Sequence, residues 1–307
     1  MAGGDGHRHG AATATAAGRH RGRLVAVLVI TLSVLVAEIV GAAASGSLVL
    51  LAEAGHMAAD AAGIGLALLG VWFAGRPATP RRTFGYQRAE ILAAAANAAL
   101  LFGVTGYVLL QAVRRLLDPP EVAAGLMIAF GMLALAGNLC SLLLLRAGQA
   151  QSLNLRGAFL EVLADALGAA AVIAAGLVVA TTGFRRADAV AAGLIGLLII
   201  PRTWRLLREA LDILLEATPK HVDLADVRRH LLDTPGVLDV HDLHAWTITS
   251  GLPVLSAHVV VADEAYTEAG RVLDRLCACL AGHFDVEHCT FQLEPTTHAA
   301  HETGVHH

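Results

Sequence analysis

Of the fifteen histidines in the 307-residue chain, His56 is the one that falls inside its long apolar stretch. It stands in Leu51-Ala-Glu-Ala-Gly-His56-Met-Ala-Ala-Asp60, so His56 and Asp60 are four residues apart and share one face of a helix. A second apolar segment carries Glu161-Val-Leu-Ala-Asp165 with the same spacing. Brought together, the two pairs offer one imidazole nitrogen and three carboxylates, enough ligands for a four-coordinate metal ion. Charged groups inside a bilayer cost several kcal/mol and mark a pathway or a site. Three buried carboxylates without a cation would have to take up protons, and that conflict suits a site that exchanges metal for protons. A single pair could equally be internal helix glue or lie near an interface; two pairs with one spacing favour the metal. Glu53, three residues before His56, lies on a neighbouring face as a supporting, entry or interfacial group. Glu38, Asn97 and Asn138 are further polar groups in the apolar segments.

The elements that must hold these residues are membrane helices. The chain is 56% hydrophobic and 16% charged, against about 25% charged for soluble domains. The deficit is confined to residues 24–207, and from about Pro219 the sequence reads as an ordinary soluble domain. A spanning helix needs about 20 apolar residues. Six stretches meet this, at 24–44, 48–74, 88–116, 122–146, 155–180 and 187–207, separated by breaks such as Ser45-Gly46-Ser47 and Asp118-Pro119-Pro120. Small residues such as Ala169-Ala170-Ala171, Gly193 and Gly196 suit close helix packing in lipid.

An even number of spans puts both termini on one side. Arg8, Arg19, Arg21 and Arg23 precede the first span; Arg76, Arg81, Arg82 and Arg88 follow the second. Arg146 and Arg156 flank the fourth connection, and Arg202, Arg205 and Arg208 lie at the exit. Arg114, Arg115, Arg185 and Arg186 are on the opposite side. The positive-inside rule therefore predicts cytoplasmic termini in a plasma or bacterial inner membrane. No signal-peptide pattern precedes the first span. Cys140, Cys277, Cys279 and Cys289 do not form a secreted disulfide framework, and no basic cluster with interleaved aromatics points to nucleic acid.

Four motifs in order, Leu51–Asp60, Arg81-Arg-Thr-Phe-Gly-Tyr-Gln-Arg-Ala-Glu90, Gly157–Gly168 and Val240-His-Asp-Leu-His-Ala-Trp-Thr-Ile-Thr-Ser-Gly251, resemble those of the cation diffusion facilitator family, especially its bacterial cobalt–zinc–cadmium resistance branch. The resemblance runs from about residue 24 to 295. It implies a homodimeric Zn²⁺/H⁺ antiporter that exports metal by alternating access and confers metal tolerance, with Cd²⁺ and Co²⁺ as further cargo. The family's intramembrane site maps onto His56, Asp60, Glu161 and Asp165. Zinc members often have His where Glu161 stands. The third carboxylate makes the site harder and more anionic, and so more tolerant of Cd²⁺, Co²⁺ or Mn²⁺ than a site with two histidines. Many relatives also carry a His-rich loop between the fourth and fifth spans; residues 146–156 here have no His. Histidines stand instead near the ends: His7, His9, His20, His298, His301, His306 and His307.

The chain thus divides into a tail at 1–23, a six-helix transport domain at 24–207, a cytoplasmic domain at 208–295 and a tail at 296–307. In the cytoplasmic domain, residues 222–232 and 267–281 read as helices and 240–249, 254–261 and 287–293 as strands, an α/β sandwich. The family's version is a ferredoxin-like dimerisation domain. Its potential ligands include His241, His244, His258, His283, His288, Cys289 and Glu294. Odd spacing puts His241 and Trp246 on opposite faces of a strand. By the resemblance, His241, His258 and Glu294 match positions that bind a regulatory metal, and His288 and Cys289 are additional candidates. Cys277 and Cys279, two apart on a helix, face apart and read as packing.

A membrane metalloenzyme would need a general base and a substrate cleft, and no His-Glu-x-x-His motif is present. A metal sensor should carry a signalling module after the membrane part, and residues 208–307 contain no such module. Transport, with Zn²⁺ as cargo and as regulatory ligand, is the expectation.

Overall fold

The computed structural model describes residues 21–146, 153–286 and 288–299. His7, His9, His20, His301, His306 and His307, most of the 146–156 connection, and Glu287 at the expected start of the last strand lie outside the described residues. Among the described residues, six helices are long and apolar enough to cross a membrane. They are α1 (Arg21–Ser45), α2 (Leu48–Ala74), α3 (Ala89–Leu117), α4 (Ala124–Arg146), α5 (Leu153–Thr182) and α6 (Arg186–Leu214). Their limits follow the apolar runs closely, with one difference. α6 continues past residue 207 to Leu214. The hydropathy falls there but the helical period does not: Leu206, Ala210 and Ile213 recur at helix spacing among Arg205, Arg208, Glu209 and Asp212.

The chain forms two compact units, one of Met1–Ala61 with Leu100–Arg202, the other of Ala62–Ala99 with Thr203–His307. In the first, Leu48, Leu50, Val108, Met127 and Val172 form one buried cluster, and Val27, Leu145, Leu155 and Val162 another. Large apolar side chains on the outside, such as Val36, Leu143 and Leu198, are exposed in the protein and suited to acyl chains.

The turn from α1 to α2 is sharp, and Gly46 supplies its left-handed residue at φ 71°. The N-terminus of α2 is capped from another helix. Asp188, in the first turn of α6, accepts hydrogen bonds from Ser47 Oγ (2.6 Å), Leu48 N (2.7 Å) and Val49 N (3.1 Å). Arg115 near the end of α3 donates to the Gly46 carbonyl at 2.6 Å and to Asp188 at 3.4 Å. Two of the unsatisfied amides at the head of α2 thus find a buried carboxylate, with favourable dipole alignment.

In the second unit the soluble domain runs α7 (Leu224–Leu232), β1 (Val237–Thr247), β2 (Pro253–Val261), α8 (Asp263–Tyr266), α9 (Ala269–Phe284), β3 (His288–Pro295) and α10 (Thr296–Ala299). The sheet order is β1-β2-β3, antiparallel then parallel. Asp223 caps α7 by accepting from Ala225 N at 2.9 Å. Val227 and Leu231 of α7 and Val272, Leu276 and Leu280 of α9 pack on Val240, Ala245, Leu255, Ala257 and Val259. That buries one face of the sheet and leaves the other to polar side chains, as the α/β sandwich requires.

One strand breaks its expected alternation. His241 pairs with His258, but the next pairing is His244 with Ser256, so β1 carries one residue more than β2 between them. This is a β-bulge, and Asp242 accommodates it at φ 48°, a conformation Asp tolerates better than most residues. The extra residue reverses the parity. His241, Trp246 and His258 stand on the same face, opposite the core, rather than His241 and Trp246 on opposite faces as simple spacing predicts.

Candidate functional site

α2 and α5 bring their spaced pairs together. His56 Nε2 lies 3.4 Å from Asp60 Oδ2. One ligand atom each from His56, Asp60 and Glu161 falls within 4.8 Å of the others. Asp165, one turn beyond Glu161 on α5, is buried at 5% exposure but stands outside that three-residue group. It is within electrostatic reach of Glu161. The set is therefore three converging donors with a buried carboxylate beside them.

Sequence reasoning missed a component. Arg202 was counted among the arginines at the exit of the last span, yet it belongs to the helical body of α6. Its Nη1 and Nη2 donate to Glu161 Oε1 and Oε2 at 3.2 and 2.9 Å. This two-pronged pairing matches guanidinium to carboxylate geometry. An arginine directly after Pro201, inside a helical period that continues, was the available signal.

Glu38 and Glu53 are almost fully buried, at 0% and 2% exposure. The Glu53 carboxylate packs directly on Gly168 of α5, where a Cβ would collide with it. Glu53 is within electrostatic reach of Glu38, Asp165 and Asp60. Asn138 is buried on α4.

On the polar face of the soluble sheet, His241, His258 and Glu294 form a second cluster with ligand atoms within 4.8 Å. His258 Nδ1 is 3.0 Å and His241 Nε2 3.3 Å from the Glu294 carboxylate. Asp242, which sequence reasoning also missed, is turned toward it by the bulge: Oδ2 is 3.9 Å from His258 Nε2 and Oδ1 is 3.1 Å from His244 Nε2.

His288 and Cys289 do not join this cluster. In β3, His288 pairs with Val254 and Cys289 with Leu255, while Gln292 is the residue beside His258. The His288 ring packs on Phe84. Cys289 belongs to the core side, 3.1 Å from Cys277 Sγ. Burial, then the neighbouring Cys277 thiol, pushes the Cys289 thiol up to about 12. Burial and Asp233 also raise Cys279. A raised value keeps the thiol protonated at neutral pH, where it is a poor ligand and nucleophile. At pH 8, iodoacetamide should alkylate Cys289 about a thousandfold more slowly than an exposed thiol, read by site-resolved mass spectrometry. Equal rates would contradict this environment.

Comparison with known proteins adds the family context. The model for the cation efflux transmembrane domain matches residues 24–215, and that for the cation efflux protein cytoplasmic domain matches 219–296. The chain is 46% identical over 267 residues to the metal cation efflux system protein CzcD of Cupriavidus metallidurans, covering 87% of this chain and 84% of that one. It is 38% identical over 274 residues to the zinc transporter ZitB of Escherichia coli, covering 89% and 87%. It is 34% identical over 278 residues to a cadmium, cobalt and zinc/H(+)-K(+) antiporter of Bacillus subtilis, covering 90% and 89%.

Proposed function

We infer the function from one premise: this chain belongs to the cation diffusion facilitator family, the cation efflux proteins. It exports divalent metal ions from the cytoplasm in exchange for protons, with zinc as the principal cargo and cadmium and cobalt as further ones. The names of the relatives support the cargo and the proton coupling. The convergence of His56, Asp60 and Glu161, with Asp165 adjacent, supports the transport site.

The charges at that site support the exchange. Asp60, Glu161 and Asp165 are three carboxylates, and Arg202 is one guanidinium paired with Glu161. With His56 neutral, two negative charges remain. One divalent ion neutralises them, and so do two protons. Metal and protons are then alternative occupants of one site, and binding either expels the other. The metal-loaded and the doubly protonated forms carry the same net charge, so both can pass through a low-dielectric interior. Alternating access follows from rocking α2 and α5 against neighbouring helices around the fixed site.

His241, His258, Glu294 and Asp242 form the regulatory site of the soluble domain, which pairs two copies of the chain in a homodimer. Metal there joins β1, β2 and β3 and links cytoplasmic metal concentration to transport. The arginine distribution favours cytoplasmic termini in a bacterial inner membrane, with metal tolerance as the outcome.

The test is Zn²⁺ flux into proteoliposomes under an imposed pH gradient, with wild type beside Asp60→Ala and Asp165→Ala. Gradient-dependent flux in the wild type, lost in both variants, is expected. Flux that survives in both would remove the transport site from these residues. Absence of flux of Zn²⁺, Cd²⁺ and Co²⁺ in the wild type would remove the function.

A further inference from the structure

A cavity of about 590 Å³ lies in the second unit, where the α2–α3 connection meets the soluble domain. The metal chemistry leaves it unused. Its size is within the roughly 300–1,000 Å³ of small-molecule sites. Arg81, Arg82 and Arg88 line it together with the aromatic Phe84, Tyr86 and Trp246. Its rim includes Ala89 and Leu92, the first turn of α3, so it opens where a membrane span begins. Leu92 is 57% exposed and Phe84 47% exposed, an apolar lip beside the start of a span.

The three arginines are differently engaged. Arg88 is paired with Glu216 at 2.8 Å. Arg82 stacks its guanidinium on the Tyr86 ring at 4.4 Å. Stacking uses the flat face of the group and leaves its N–H edge able to donate. Arg81 makes no ion pair among the described residues. Two guanidinium edges are thus offered to an anion. The Glu216 carboxylate that lines the same space is the one already paired with Arg88. The cavity combines donors for a phosphate with an apolar lip beside the start of a span.

We propose that this cavity binds the headgroup of an anionic phospholipid, with Arg81 and Arg82 on the phosphate. Planar guanidinium edges recognise phosphate oxygens in pairs, and basic pockets beside membrane helices take lipid headgroups on this principle. Phosphatidylglycerol brings a net negative charge to the two guanidinium groups, whereas the quaternary ammonium of phosphatidylcholine cancels the charge of its phosphate. The inference requires only that α2 and α3 span the bilayer. It is independent of the metal transported and of the side on which the loop lies.

The test is native mass spectrometry of the full-length protein from detergent with equimolar phosphatidylglycerol and phosphatidylcholine. Wild type is expected to retain phosphatidylglycerol preferentially. The double variant Arg81→Ala/Arg82→Ala should lose that preference by at least about tenfold, and Arg81→Lys/Arg82→Lys should keep part of it. Normal metal binding by the variants shows that they are folded. Phosphatidylglycerol must also stay bound in millimolar inorganic phosphate. No preference in the wild type, an unchanged preference in the alanine variant, or displacement by inorganic phosphate would each overturn the proposal. The last would identify a site for free phosphate instead.

Discussion

Replacing Arg202 with Gln is expected to convert an electroneutral exchange into one that moves charge. In the proposed transport site, Asp60, Glu161, Asp165 and Arg202 together carry two net negative charges, because Arg202 neutralises one of the three carboxylates through its contacts with Glu161 at 3.2 and 2.9 Å. Arg202→Gln exposes the third. Neutralising the metal-free site then takes three protons, and exchanging one divalent ion for three protons moves one net charge per cycle, because the fixed charge of the protein returns in every cycle. Metal also binds more tightly, because a positive charge a few Å from the ion no longer repels it. Unit charges 4 Å apart interact by about 4 kcal/mol at an effective dielectric of 20, so a gain of ten- to a hundredfold in affinity is a cautious figure. Tighter binding slows release, and turnover falls. Arg202→Lys keeps the charge without the fork and should lie between. A potential-sensitive dye in proteoliposomes reads the charge movement, and equilibrium metal competition reads the affinity. If Arg202→Gln leaves both unchanged, the arginine is an ordinary interfacial anchor and the charge balance is wrong.

Asp188→Ala should cost the membrane unit a large part of its stability. Asp188 is 1% exposed and receives the Ser47 hydroxyl, two amides of α2 and the Arg115 guanidinium. Alanine leaves those amides without an acceptor and Arg115 without its counter-ion. Removing one partner of a buried pair typically costs about 3–5 kcal/mol, more than the roughly 0.5–2 kcal/mol of an ordinary helix cap. Unfolding in a mixed-micelle titration is the measurement. Asp188→Asn, which still accepts hydrogen bonds, should recover part of the loss. A change below about 1 kcal/mol for Asp188→Ala would mean that water satisfies the head of α2.

The membrane helices were legible because a bilayer imposes length and composition together, and the spaced pairs because a helix turns a four-residue interval into adjacency. What escaped depended on pairing between distant helices and on strand parity. Arg202 lies inside the 187–207 run, and counting arginines by side assigns it to the exit of the span rather than to a pair with Glu161 of α5. In the soluble domain, spacing put His241 and Trp246 on opposite faces, and one inserted residue at the bulge undid that. The same insertion turned Asp242 toward His258, and nothing in Val240-His-Asp-Leu-His announces it. His288 and Cys289 failed as partners of His258 for a related reason. They stand at the start of the right strand, but the register of β3 brings Gln292 beside His258, with Glu294 two pairs further along on the same face.

α6 is fastened to the helices that carry the transport site at two points. Asp188 holds the head of α2, and Arg202 holds Glu161 of α5. Fourteen residues separate them, about 21 Å along a helix rising 1.5 Å per residue. The two fastenings differ in accessibility: Asp188 is sealed, whereas the Arg202 side chain is 65% exposed. Where the site opens to water, solvent can take over the hydrogen bonds of the second and not readily those of the first. The activation barrier for shifting α5 past α6 is therefore lower than that for freeing α2 at its head. The stroke should pivot on the Asp188 end, and its rate should be set by how quickly the Arg202–Glu161 pair exchanges with incoming metal.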